Sequence, residues 1–160
     1  MPASSPARQL EGFLAKYSPD IVKVAKQALR LLRPQLHGAV ELVYDNYNAL
    51  AIGFSPTDRA SDVIVSLALY PRWVSLFFMH GVRLPDPYGL LRGSGKQVRH
   101  IKLESVTILK SPQLQGLLQQ AIERSPKRLD PSTTRRLVIK SISSTQRARR
   151  PIGIPAKRGA

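Results

Sequence analysis

The stretch that decides the fold is Ala39–His80, AVELVYDNYNALAIGFSPTDRASDVIVSLALYPRWVSLFFMH. Its apolar residues repeat with period two, the signature of strands. In residues 39–45, Val40, Leu42 and Tyr44 share one face, and Glu41, Val43 and Asp45 share the other. The run Asp45-Asn46-Tyr47-Asn48 is turn chemistry, and NALAIGF (48–54) returns as a second strand. Leu50, Ile52 and Phe54 form one of its faces, and Ala49, Ala51 and Gly53 form a face of small residues that something can approach closely. After the break at Ser55-Pro56-Thr57-Asp58, residues 62–70 and 73–80 read as two more strands, apolar on both faces and therefore central in the sheet.

Upstream, Ser18-Pro19 starts a helix with a hydroxyl cap followed by proline in the first turn. Ile21, Val24, Ala25, Ala28, Leu29 and Leu32 then form an apolar stripe opposite Lys23, Lys26, Arg30 and Arg33. Pro34 is expected to stop it, because the residue before proline is pushed out of helical dihedrals. A shorter helix over residues 9–17 precedes it, with Leu10, Phe13, Leu14 and Tyr17 in helical register.

Downstream comes the stretch Gly81–Glu104, a loop with four glycines and two prolines that leads into strand-like sequence and ends in the basic run Arg92, Lys96, Arg99, His100 and Lys102. Loops of this length in compact domains are usually functional or disordered, and the strand-like sequence that follows favours an ordered one. Residues 97–105 read as a fifth strand, and Ser111-Pro112 repeats the capped-helix start for residues 111–124. The expected fold class is α+β: an antiparallel sheet of about five strands with N- and C-terminal helices packed on one face.

The chain has 160 residues, 42% of them apolar, enough for one domain with a core. The expected division is a disordered N-terminus (1–8), the α+β domain (9–125) and a basic, disordered tail (126–160). The tail carries ten Lys/Arg against the single acid Asp130, and so holds nine of the fifteen net positive charges. Within it, residues 137–143 have weak strand character but charged flanks and no evident partner. With no cysteine, disulfides, thiolate metal sites and a cysteine nucleophile are excluded. The N-terminal MPASSPARQ has no apolar segment of the secretory kind, and no run approaches the roughly 20 apolar residues of a spanning helix, so a soluble cytoplasmic protein is expected.

Gly93-Ser94-Gly95-Lys96 has the look of a phosphate loop but fails its spacing. Position 90 is Leu, Lys96 is followed by Gln97, and a strand rather than a helix comes next. What remains is an anion nest: convergent backbone N–H groups around Gly93 and Gly95, with Arg92, Ser94, Lys96 and Arg99 as charged or polar neighbours. The alternative is a glycine turn before an exposed basic strand. Glu41, Tyr44, His80, His100 and Lys102 are further pocket candidates. His80 falls at the edge of the core by strand parity, and His100 on the polar side with Lys102. Glu41 reads either as an exposed strand carboxylate or as one facing a pocket beside Val43. No Ser-His-Asp arrangement, nucleophile elbow or paired carboxylates support an enzyme.

Trp73-Val74-Ser75-Leu76-Phe77-Phe78, Leu84-Pro85-Asp86-Pro87, Leu91-Arg92-Gly93-Ser94-Gly95-Lys96 and Val98-Arg99-His100-Ile101 resemble the YdhG-like domain-of-unknown-function family of bacteria, over about residues 9–124. The resemblance implies a compact helix–sheet–helix domain likened to frataxin, one family member being described as a frataxin-like iron chaperone. The residues themselves call for no cofactor, and iron is implied by the resemblance alone. Frataxin-type iron binding rests on an acidic helix surface, whereas the exposed helix face here is basic.

The function expected is therefore non-enzymatic binding of a small ligand or protein partner at the Gly-Ser-Gly-Lys loop. A frataxin-like iron carrier is the second reading. The third is a nucleic-acid-associated accessory protein that binds weakly and nonspecifically through residues 126–160, with a steep salt dependence. No membrane partner is expected.

Overall fold

A computed structural model describes residues 5–151. Two helices, α1 (Pro6–Leu14) and α2 (Pro19–Gln35), precede the strands β1 (Val40–Asp45), β2 (Leu50–Ser55), β3 (Val65–Leu69), β4 (Val74–Phe78) and β5 (Arg99–Lys102). Helix α3 (Pro112–Glu123) and strand β6 (Arg136–Ile142) follow. Short 3₁₀ turns at Ala60–Asp62, Gly81–Arg83 and Val106–Lys110 connect them.

The strands form one mixed sheet in the order β5-β4-β3-β2-β1-β6. Every neighbouring pair is antiparallel except β1 and β6, which run parallel. The α+β class is as the sequence implies, but the sheet has six strands rather than five, and it is mixed. The difference lies in residues 126–151, expected as a disordered tail. After α3 the chain crosses to the far edge of the sheet and adds β6 beside β1, pairing Leu137 with Glu41 and Ile139 with Val43. Leu137 and Ile139 pack on the main core, while Val138 packs with Val40 and Leu42 on the opposite face.

Helix boundaries follow the caps. Ser5 Oγ accepts from the Arg8 amide and Ser111 Oγ from the Leu114 amide, so α1 starts inside the segment expected to be disordered. Proline does not end α2 where the sequence predicts. The helix runs through Pro34, and the Leu36 amide still bonds the Leu32 carbonyl. Both leucines are buried, and that burial outweighs the local preference of the residue before proline. At Gly38 the backbone then turns with φ +92°, and the Asp130 backbone crosses so closely that a Cβ would lie 2.2 Å from its carbonyl oxygen. Glycine is required there on both counts.

All three helices cover one face. Leu50, Ile52 and Phe54 of β2, Val65, Leu67 and Leu69 of β3, and Val74, Leu76 and Phe78 of β4 meet Leu14, Leu29, Leu32, Leu117 and Leu118 in a single core. No helix among the described residues lies on the other face. The segment after β2 covers one end of it, with Val63 pressed onto Gly53 beside Val40 and Leu42. The rest of that face, floored by Ala51, Ser66 and Ala68, is left open between Phe77 and the β1–β2 turn. No helix among the described residues is long and apolar enough to cross a membrane.

Candidate ligand pocket and glycine loop

The loop between β4 and β5 is a self-bonded structure. Asp86 accepts from the amides of Leu90 and Leu91, each at 2.9 Å, which closes the segment after the two prolines. Arg92 exchanges both backbone hydrogen bonds with His100, and its guanidinium donates to the Gly89 and Leu91 carbonyls. Arg99 donates to the Gly95 carbonyl at 2.6 Å and the Val98 carbonyl at 2.8 Å. Gly93 has φ +124°, whereas Gly95 is not in the left-handed region. The two arginines of the predicted anion nest thus direct donors at their own loop. Ser94 and Lys96 are exposed and have no hydrogen-bond partner among the described residues.

The loop closes on the turn at Gly81–Arg83. The Val82 amide bonds the Gln97 carbonyl, and Arg99 lies so close to Gly81 that any Cβ there would be 2.5 Å from Arg99 Cβ. Beside this contact, between the end of β4 and the C-terminal end of α3, lies a cavity of about 230 Å³. Ile64, Phe78, Leu84 and Ala121 form its apolar wall. His80, Arg83 and Arg124 are its charged or titratable lining, and no lining residue is acidic. Arg124 is partly engaged, donating to Gln120 Oε1 at 2.9 Å and the Arg83 carbonyl at 3.3 Å. The side chains of His80 and Arg83 have no partner among the described residues. The carbonyl end of α3 points toward this region, and Arg124 at its cap offsets that negative end.

The remaining predicted pocket residues are dispersed. His100 faces away from the helices and tilts against Phe77, with ring centroids 5.2 Å apart. Lys102 lies over Trp73 at 5.5 Å, at the opposite end of the strands from the cavity. Tyr44 also faces the helix-free side, its hydroxyl lacks a hydrogen-bond partner among the described residues, and burial pushes its phenol up. Glu41 points to the helix side and is 1% exposed. Arg33 grips it through Nε and Nη2 at 2.9 and 3.0 Å, and Arg135 Nε adds a third bond at 2.8 Å. It is thus neither the exposed strand carboxylate nor a free pocket carboxylate.

Asp45, two pleat repeats further along the same face, is held the same way by Lys16 and Arg149. Burial alone would raise its carboxyl, but hydrogen bonds from Lys16, Gln146 and Arg149 more than reverse this and leave it below the ordinary range. Glu11 is paired with Lys26, and Asp62 with Lys127. Among the described residues no three His, Asp or Glu side chains group as metal ligands.

Sequence reading reached His80 through strand parity but missed Arg83 and Arg124. They are 41 positions apart and meet only because α3 returns across the end of the sheet. Compared with models of known protein families, with curated proteins and with solved structures, the chain finds no match in any of the three.

Proposed function

We propose that this chain is a non-enzymatic binding protein for a small amphipathic anion, held in the cavity between the end of β4 and α3. One observation carries the reading: the imidazole of His80 and the guanidinium of Arg83, both without partners among the described residues, and the partly engaged Arg124 stand at a cavity with an apolar wall and no carboxylate in its lining. An apolar ligand body rests on Phe78, Leu84 and Ile64, and its carboxylate or phosphate takes charge-assisted bonds from Arg83, with Arg124 nearby. The volume is below the roughly 300 Å³ at which drug-sized ligands are taken, so the occupant is a short-chain or single-ring acid. Relative to the site expected at Gly93–Lys96, this reading keeps the ligand class and moves the anchor to the base of the same loop, because Arg92 and Arg99 already bond loop carbonyls.

The test is calorimetric titration and thermal shift with a panel of aliphatic and single-ring carboxylates and phosphates. A ligand that stabilises the wild type is expected to lose about tenfold or more in affinity with Arg83→Ala, and to bind Lys96→Ala unchanged. Equal binding by Arg83→Ala, or loss on Lys96→Ala alone, would return the site to the glycine loop. A panel without any binder sinks both.

A further inference from the structure

The helix-free face of the sheet has a chemistry of its own at the end remote from the cavity. There the β1–β2 turn and the β3–β4 turn stand side by side and raise two exposed aromatic rings, Tyr47 (46% exposed) and Trp73 (37% exposed). Each carries a cation over its ring: Arg147 lies 5.6 Å from the Tyr47 centroid and Lys102 5.5 Å from that of Trp73. Trp73 also stacks on Tyr70, with centroids 4.9 Å apart. Behind the turns the floor is made of Ala51, Ser66 and Ala68, small enough to leave an open hollow of about 540 Å³. That hollow shares Asn48 and Tyr70 with a second one of about 840 Å³, which continues over the end of the sheet past Arg72, Arg147 and Arg150. No lining residue of either hollow is acidic. The side chains of Arg72 and Lys102 have no hydrogen-bond or ion-pair partner among the described residues, and Arg147 meets only the Tyr47 ring.

We propose that this trough binds single-stranded nucleic acid. Flat rings set beside unpaired cations on an open sheet match the two demands of a single strand: faces for unstacked bases and positive charge along the backbone. A duplex hides its base faces and so cannot use the rings. An acidic peptide would satisfy the cations but leave the exposed rings without purpose. Bases stack against Trp73 and Tyr47, and Arg72, Lys102 and Arg147 move onto phosphates. This reading does not depend on the anion cavity, which lies at the other end of the strands and on the helix side. It also differs from binding through a disordered basic tail, because the cations come from three separate elements of the folded domain.

Trp73 is the sole tryptophan, so its fluorescence reports base stacking at this spot without a label. The full chain is titrated with oligothymidine and oligouridine of about 15 nucleotides, near the upper end of the 4–16 that such surfaces take. The same titration is run with a duplex of equal length, with heparin and with polyglutamate. Single strands are expected to quench Trp73 and to bind at least about tenfold more tightly than the duplex. Three phosphate contacts at about 0.7 each give a salt slope near −2, or roughly a 20-fold loss between about 50 and 200 mM salt. By anisotropy of labelled oligonucleotide, Trp73→Ala is expected to lose about tenfold or more, Trp73→Phe to bind within about threefold of wild type, and Arg72→Ala to flatten the salt slope by about 0.7. Tyr47→Ala supplies a second ring variant at an exposed turn. Absence of binding, binding without quenching of Trp73, or equal affinity for heparin, polyglutamate or duplex overturns the proposal.

Discussion

Arg149 places its Nη2 2.9 Å from Asp45 Oδ1, across 104 residues of sequence, with the arginine 5% and the aspartate 0% exposed. Lys16 Nζ takes the other carboxylate oxygen at 2.6 Å, and Arg149 also lies over the Tyr17 ring. One buried carboxylate therefore ties the α1–α2 corner, the end of β1 and the last described residues of the chain together. Removing one member of a buried ion pair strands the other, which typically costs about 3–5 kcal/mol. Arg149→Ala and Asp45→Asn are each expected to lower stability by about that amount in urea unfolding. The pair replaced together by Leu and Met should recover much of the loss. Asp45 is a carboxyl whose folded pKa is depressed, so its contribution is present above the ordinary aspartate value near 3.9 and is lost as pH falls through the folded value. The acid limb of the stability–pH curve should flatten in Asp45→Asn, and an unchanged acid limb removes this ion pair from the account.

Glu41 provides the same tie at the other end of β1, with a difference that can be measured. The carboxylate is buried, but Arg33 and Arg135 are both partly exposed. Glu41→Gln leaves two guanidiniums facing a neutral amide and is expected to cost about 2–3 kcal/mol. Arg135→Ala removes a half-exposed partner while Arg33 keeps its two bonds, so the expected cost is about 1 kcal/mol or less. Denaturant midpoints that reverse this order contradict the assignment of Arg33 as the principal partner.

These two ties explain what the sequence made legible and what it hid. Period-two alternation is a local property, so the faces of β1 to β4 could be read directly, down to the small-residue face of β2. Strand β6 was masked by Arg135, Arg136 and Lys140, which look like a solvated run. In the fold, Arg135 is taken by Glu41 and Lys140 by the Asp58 carbonyl, partners 94 and 82 positions away. A signal was present nonetheless. Glu41 and Asp45 alternate with Val43 on a core-facing side, and acids placed there require cations from elsewhere. The site was legible to the same extent: His80 follows from strand parity, whereas Arg83 and Arg124 are brought together by tertiary contact alone.

Gly38 and Gly116 offer a contrast in which one substitution has opposite signs. Alanine at Gly38 must adopt φ +92° and place its Cβ 2.2 Å from the Asp130 carbonyl oxygen, a backbone atom that cannot swing away. The strain alone is about 1–2 kcal/mol, and displacement of the segment leading to β6 adds to it. Gly116 sits inside α3 with nothing within 4 Å of its Cβ position, so alanine there is expected to stabilise by about 0.5–1 kcal/mol through helix propensity. Thermal unfolding of the two variants decides it. A tolerated Gly38→Ala means that the 126–135 segment does not cross α2's end as described.

Tyr17 closes the core at the corner of α1 and α2, where its hydroxyl donates to the Leu69 carbonyl at 2.9 Å and accepts from the Leu50 amide at 3.1 Å. It thereby bonds two backbone groups of residues that face each other at the ends of β2 and β3. Tyr17→Phe keeps the ring and removes both bonds from a buried site, an expected cost of about 1–2 kcal/mol. Burial raises the phenol to about 12, with Arg149 pulling it partly back. Because the folded value lies above the unfolded value of 10.0, the folded state favours the protonated form. The stability this gives is complete below about pH 10 and is lost as pH rises toward 12. Stability followed by urea midpoint should therefore fall from about pH 10 upward in the wild type and fall less steeply in Tyr17→Phe. Ultraviolet titration should show a late-ionising tyrosine that this variant lacks, and a late component surviving the substitution would assign it to another ring.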